Sequence, residues 1–341
     1  MTTPVAVVGA GGYTGQELVE LITRHHALRL VGVFASANSA GTPISEIAPR
    51  LRGIVNPRVQ ETNAHAIAQS GATHVFLATP HELSMQLAPK LIEYDQIVLD
   101  LSGAYRLKNL DLYPVHYGFE HLHPSSVEEA LYTIPELCSD KIPRAKLISL
   151  AGCYATSVIL PLVPLVRAGL LEADRTVIVD SVSGVSGAGK KPAAKTSFCE
   201  VSQSPYAVLS HRHEPEMIEH TGTDIMFTPH LGPYARGILS TIHVDLSRGT
   251  TRPAIEAVLQ EAFADSPFVR LLPDGAWPSV GGVTHTNMID IGFAVDEKRC
   301  HLVLVSAIDN LLKGASGQAI QALNLHLGID ERTGLMPGAT T

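Results

Sequence analysis

The stretch PVAVVGAGGYTGQELVELI, residues 4–22, limits what this chain can fold into more than any other. A short apolar run from Pro4 breaks into glycines at Gly9, Gly11, Gly12 and Gly15, and a pattern placing Leu18, Leu21 and Ile22 on one helical face follows directly. Glycine lets a backbone turn tightly and approach a bound pyrophosphate, whose charge meets free N–H groups and the helix dipole. With a strand before and a helix after, the turn, Tyr13 and Thr14 included, reads as a dinucleotide site. The alternative is a tight turn with no ligand.

The first half continues in the same rhythm. LRLVGVFAS (Leu28 to Ser36), THVFLATP (Thr73 to Pro80), QIVLDLS (Gln96 to Ser102) and AKLISL (Ala145 to Leu150) are apolar runs, with the helical ELSMQLAPKLIEY among them. Strands apolar on both faces and separated by amphipathic helices predict a parallel sheet covered on both sides, a doubly wound α/β domain. After about residue 170, RTVIVDSVSG, DIMFTPHL, ILSTIHVDL, FVRLL, MIDIGFAVD and RCHLVLVSAID are strands with few helices between them, which predicts an α+β domain with a mixed or antiparallel sheet. KGASGQAIQALNLHLG predicts a helix beginning near Ala315 and ending before Gly328, long enough to return to the first domain, with a loose tail after Asp330. Two domains are expected, residues 1–152 with 314–341 and residues 153–313, with a cleft between them.

Composition removes several function classes. The formal charge of −8 is spread along the chain, with no Lys/Arg run fit to hold a phosphate backbone, so nucleic acid is not an expected partner. SVILPLVPLV falls short of the ~20 residues a bilayer needs and contains prolines, and the first residues read as a buried strand without a basic leader, so no membrane is expected and the expected location is cytoplasmic. Cys138, Cys153, Cys199 and Cys300 are widely spaced, which argues against disulfides and structural zinc.

NAD sites commonly carry an acidic residue about 20 positions after the glycines. Here the second strand ends in Phe34, Ala35 and Ser36, with Ser36, Asn38 and Ser39 able to donate to a 2′-phosphate, which points to NADP(H). The nearest arginines in sequence are Arg50 and Arg52.

SLAGCYATSV, residues 149–158, reads as strand, turn and helix, with Cys153 at the sheet's carboxyl edge and the helix beginning around Tyr154 to Thr156. A helix entrance favours negative charge, so the thiol is expected below its free value of about 8.5, and a thiolate attacks carbonyls. The other cysteines read as packing residues. HRHEPEM offers a proton partner: in extended chain His211 and His213 point the same way, just before a proline-initiated helix. A surface pair, or a metal site with Glu216, are the other readings, and no metal is expected.

Taken together, GAGGYTGQEL, VFLATPHELS, DLSGAYRL, GCYAT, SVSGVSGAGKK, SFCEVS, HRHEPE, FTPHLGPYARGIL and DNLLKGASGQA resemble the N-acetyl-gamma-glutamyl-phosphate reductase family, an arginine-pathway relative of aspartate-semialdehyde dehydrogenase, over nearly the whole chain. The resemblance implies an NADPH-dependent, phosphorylating type of aldehyde dehydrogenase with Cys153 as nucleophile and His213 as acid/base. By it Arg106, His211, Ser183 and Lys190 are substrate-side positions, and Pro80, His81, Ser102 and Asn310 neighbour the nicotinamide. It also implies a homodimer or homotetramer, the second domain being catalytic and dimerising. The family often has proline where this chain has Ala151 and Ala155, which would loosen the turn that aims Cys153. A sister reductase acting on aspartyl or aminoadipyl phosphate is the alternative, and a nucleotide-sensing protein without catalysis a further one.

Overall fold

The computed structural model describes residues 2–336. Two units divide the chain, one running up to Ala151 and resuming at Ala315, the other spanning Gly152–Gly314.

In the first unit β1 (Thr3–Val8), β2 (Leu28–Ala35), β3 (Gln60–Glu61), β4 (His74–Leu77), β5 (Ile97–Asp100), β6 (Leu131–Thr133) and β7 (Leu147–Leu150) form one sheet in the order β3-β2-β1-β4-β5-β7-β6. Every pairing in it is parallel. Alternation along β1 explains why it must be covered twice. Val5 and Val7 pack with Leu18, Val19 and Ile22 of the helix Tyr13–Arg24 and with Ile320 and Leu323 of Gly317–His326. Ala6 and Val8 face the opposite core, with Met85, Ala88 and Leu91 of His81–Glu93. The strand order reverses between β1 and β4, the place where open α/β sheets bind ligands beyond their carboxyl ends.

The second unit holds β8 (Val177–Gly184), β9 (Ser204–Pro205), β10 (Ile225–Gly232), β11 (Ile238–Asp245), β12 (Val269–Leu271), β13 (Ile289–Asp296) and β14 (His301–Ile308), ordered β12-β13-β14-β11-β8-β10-β9. The sheet is mixed: β8 with β10 and β12 with β13 are parallel, and the remaining pairs antiparallel. Burial alternates along β8 and β11, so one face is sealed and the other is half open. The helix Cys153–Arg167 packs on β11 and β14 of this sheet and is buried over most of its length.

That helix contains Pro161 and Pro164. Pro161 has no N–H to give the Ser157 carbonyl. Ser306 of β14 supplies the missing donor, its hydroxyl reaching the Ser157 oxygen at 2.6 Å. The Ser157 hydroxyl joins Ser240 at 2.7 Å, and Ser240 joins Ser181 at 2.7 Å, so a chain of buried serines ties the helix to three strands.

Three local expectations are corrected. The helix begins at Cys153 itself, because Gly152 takes the extended cap conformation and its carbonyl accepts the Thr156 N–H at 2.7 Å. His213 is the first residue of the helix His213–Thr221 rather than part of an extended approach, and Pro215 lies inside its first turn. The tail is packed as far as Met336: the Asn324 amide donates to the carbonyls of Glu331 and Thr333, and Thr333 is buried. Residues 337–341 lie outside the described residues.

Candidate active site

On the first unit, the glycines meet the demands of a phosphate cradle. Gly9 has φ +90°, and a Cβ there would lie 2.1 Å from the Ala78 carbonyl oxygen. A Cβ on Gly15 would lie 2.3 Å from the Gly9 oxygen, so these two glycines are required by packing. Gly11 differs, since nothing lies within 4 Å of its Cβ direction. No side chain caps the helix at Gly12 and its first turn, which holds Tyr13 and Thr14, has no acidic residue, so the entrance is left open to an anion. A dinucleotide pyrophosphate fits these residues.

After β2, Ser36 is exposed ahead of the short turn Ala37–Ser39. Of the nearest arginines, Arg50 is held by Glu17 at 2.6 Å and Glu20 at 3.3 Å. The sequence reading missed a carboxylate here, because Glu61 on β3 pairs with Ala35. Two exposed residues of a two-residue strand give no periodic signal.

At the carboxyl ends of β4 and β5, Pro80 caps the helix that His81 opens, and the His81 Nδ1 accepts the Gly103 N–H at 2.7 Å. Asp100 is fully buried, and burial pushes its carboxyl above the usual range against bonds from Ser102 and Ser84 and the Arg106 charge. Arg106 is buried, not a surface ion pair. It donates to the Leu150 carbonyl at 2.8 Å and the Leu101 carbonyl at 2.9 Å, joining the chain ends of β7 and β5. The Ala151 N–H, which a proline would lack, donates to the Thr133 carbonyl at 3.1 Å, so a hydrogen bond holds this turn in place of a fixed φ.

On the second unit, the Cys153 helix and the His213 helix pack side by side. Glu216, one turn after His213 and fully buried, accepts the Gly152 N–H at 2.7 Å, which fixes the His213 helix to the entrance carrying Cys153. Sequence reasoning considered Glu216 only as a metal ligand; its partner lies 64 positions away, so only tertiary structure reveals the pairing. His211 Nδ1 accepts the His213 backbone N–H at 3.1 Å, so the neutral ring carries its proton on Nε2. Burial, with a smaller push from the Arg212 charge, lowers His211 to about 4, so this ring is neutral at pH 7.

Tyr154 stands edge-on to His211 at 5.5 Å and to His213 at 6.0 Å, bringing both rings to the residue that follows Cys153. Its hydroxyl donates to the His230 carbonyl at 3.0 Å, receives the Tyr206 hydroxyl at 3.2 Å and is also hydrogen-bonded with Ser183. Burial pushes Tyr154 well up and Tyr206 up to about 12, so both act as neutral hydrogen-bonding groups. A Cβ on Gly314 would lie 2.7 Å from the Cys153 Cβ, so a bare glycine is what admits the cysteine. Cys153, Ser183, His211 and His213 are thus gathered around Tyr154. Two further predicted residues lie on this unit: Lys190 is exposed, and Asn310 is buried, its amide oxygen accepting the Gly237 N–H at 2.6 Å and its amide nitrogen donating to the Ser186 hydroxyl at 2.9 Å.

A dinucleotide-type turn on one unit and a cysteine–histidine cluster on the other are the parts of a dehydrogenase. Two family models match, "Semialdehyde dehydrogenase, NAD binding domain" over residues 4–145 and "Semialdehyde dehydrogenase, dimerisation domain" over residues 153–310. An Escherichia coli K12 protein called N-acetyl-gamma-glutamyl-phosphate reductase is 44% identical over 332 residues, covering 97% of this chain and 98% of its own. One of the same name from Desulforapulum autotrophicum is 47% identical over 345 residues, covering 98% and 99%. The chain belongs to the semialdehyde dehydrogenase family, in its N-acetyl-gamma-glutamyl-phosphate reductase branch. The fold is shared with aspartate semialdehyde dehydrogenase II of Vibrio cholerae, at a TM-score of 0.74, 17% identity and coverage of 96% and 99%. It is shared too with the Candida albicans aspartate semialdehyde dehydrogenase solved with NADP, at 0.70, 14% identity and coverage of 95% and 98%. No helix among the described residues is long and apolar enough to cross a membrane.

Proposed function

We propose that the chain reduces N-acetyl-γ-glutamyl phosphate to N-acetylglutamate semialdehyde with NADPH, through a thioester on Cys153, as a cytoplasmic step of arginine biosynthesis. The observation that carries this reading is the placing of Cys153 as first residue of a buried helix, whose entrance Glu216 binds one turn from His213.

The helix entrance favours the thiolate. His213 accepts the thiol proton as sulfur attacks the acyl carbon, and passes it to the phosphate as the carbon–oxygen bond breaks. When bound at the glycine turn, the reduced nicotinamide supplies the hydride that a thioester accepts more readily than an acyl phosphate does. Collapse to the aldehyde breaks the carbon–sulfur bond, and a second proton returns to sulfur through His213. Neutral His211 presents its Nε2–H to a substrate oxygen. Arg106, Ser183 and Lys190 serve the acyl phosphate. Ser36 and Ser39 serve the 2′-phosphate, with Pro80, His81, Ser102 and Asn310 toward the nicotinamide. The family model's dimerisation domain supports a homodimer or homotetramer.

Cys153→Ser is expected to abolish both phosphate-dependent turnover and labelling by a thiol reagent, and near-normal turnover would refute covalent catalysis. Parallel assays with aspartyl and aminoadipyl phosphate separate the sister reductases, since faster turnover of either would reassign the substrate.

A further inference from the structure

Residues 187–210 of the second unit contain no buried position, and only Thr196, Val201 and Tyr206 are half-buried. Their regular structure is limited to the end of the turn Val185–Ala188, the turn Ala194–Thr196 and the two-residue edge strand β9. A stretch of this length without a core of its own is uncommon in a folded domain and is usually functional. It is also apolar where it should not be. Phe198 is 94% exposed, Leu209 64% and Val208 48%.

The backbone gives an independent sign. Ala207 and Leu209 adopt φ +46° and +55°, the left-handed region that residues with side chains avoid. Such conformations persist when surrounding contacts enforce them, yet these two sit on an exposed stretch. Charge indicates what would supply the contacts. The stretch carries Lys190, Lys191 and Lys195 against Glu200, while the chain as a whole is at −8, so a basic projection stands on an acidic molecule. Lys195 lies over the Tyr206 ring at 5.4 Å, fixing the root of the projection. The family model covering these residues is a dimerisation domain.

We propose that residues 187–210 are an arm that docks on a second copy of this chain, with Phe198 as its buried anchor. The proposal rests on the oligomeric reading above and adds to it the surface responsible. A large aromatic at the centre of a desolvated patch contributes far more to association than its neighbours do. Lys191 and Lys195, which precede it in the chain, meet the acidic surface of the partner and favour encounter over persistence. Leu209 and Val208 rest against the same partner, and their contacts hold the disfavoured backbone.

The test uses the full chain with a benzophenone-bearing phenylalanine analogue at position 198. Illumination is expected to give a covalent species of twice 36.4 kDa. Links confined to one chain would overturn the proposal. Sedimentation of Phe198→Ser at graded concentrations is the second measurement, with the dimer dissociation constant expected to rise about 10- to 100-fold. The unfolding curve of a dissociated sample should not change, since the side chain is 94% exposed in one chain. A monomeric parent protein would defeat the oligomeric reading and the arm together. A dimeric parent that Phe198→Ser leaves equally tight would defeat the arm alone.

Discussion

Gly314→Ala adds one methyl group at a place where the structure leaves no room for it. The new Cβ would stand 2.7 Å from the Cys153 Cβ, 3.1 Å from its Cα and 3.3 Å from Ile308 Cδ1. Gly314 is not among the glycines with positive φ, so alanine strains nothing in the backbone itself and steric displacement is the whole effect. Ordinary contact requires the two carbons to separate by about 0.7 Å more, and the Gly314 backbone resists because its N–H is bonded to the Asp309 carbonyl at 2.9 Å. Cys153 must therefore move. A 1 Å misplacement of a reacting group can cost ~100-fold, so turnover should fall about 10- to 100-fold. The assay is phosphate-dependent oxidation of the semialdehyde, followed alongside the rate of thiol labelling and the affinity for NADPH. Turnover and labelling should change while nucleotide affinity does not. Gly281→Ala, with nothing within 4 Å, is the matched control. Turnover within twofold of the parent would refute the argument that Gly314 sets the position of the sulfur.

Three further outcomes follow from other contacts. Glu216→Ala leaves the Gly152 N–H without its acceptor and should cost about 1–3 kcal/mol in a denaturant titration, whereas Glu216→Gln, which can still accept that bond, should cost far less; equal losses would show that charge matters there. His74 is pushed down to about 4, first by burial and then by His326, so it adds to stability fully above pH 6.5 and that part is lost as pH falls toward 4. Between pH 7 and pH 5 that group should account for roughly 2 kcal/mol, and His74→Phe should flatten the melting-temperature profile over this window. Ser36→Asp should narrow the NADPH-over-NADH ratio of kcat/KM and Glu61→Gln should widen it; a ratio unmoved by both would place the 2′-phosphate elsewhere.

The parallel sheet was legible because strands covered on both faces are written as unbroken apolar runs, and Val5, Ala6, Val7 and Val8 supply both cores. β3 was not, because Gln60 and Glu61 are exposed and their pairing to β2 leaves no hydrophobic mark. The start of the Cys153 helix was off by a residue or more because Gly152 caps with its backbone, and no Ser, Thr, Asp or Asn announces it. Cys153, His211 and His213 could be picked out as reactive residue types beside recognisable turns. Glu216, Tyr154 and Gly314 could not, since each acts through a partner distant in sequence or through the absence of a side chain.

The hydroxyl of Ser306 answers to a proline 145 positions earlier, a distance that follows from the bond it makes to the residue 149 before it. Mutation at either site therefore has a history attached. With Pro161 in place, losing Ser306 strips a buried carbonyl of its donor; once an amide has returned at 161, the same loss is tolerable. Lineages drifting from this sequence must take those two steps in one order, so the pair should covary although neither side chain meets a substrate.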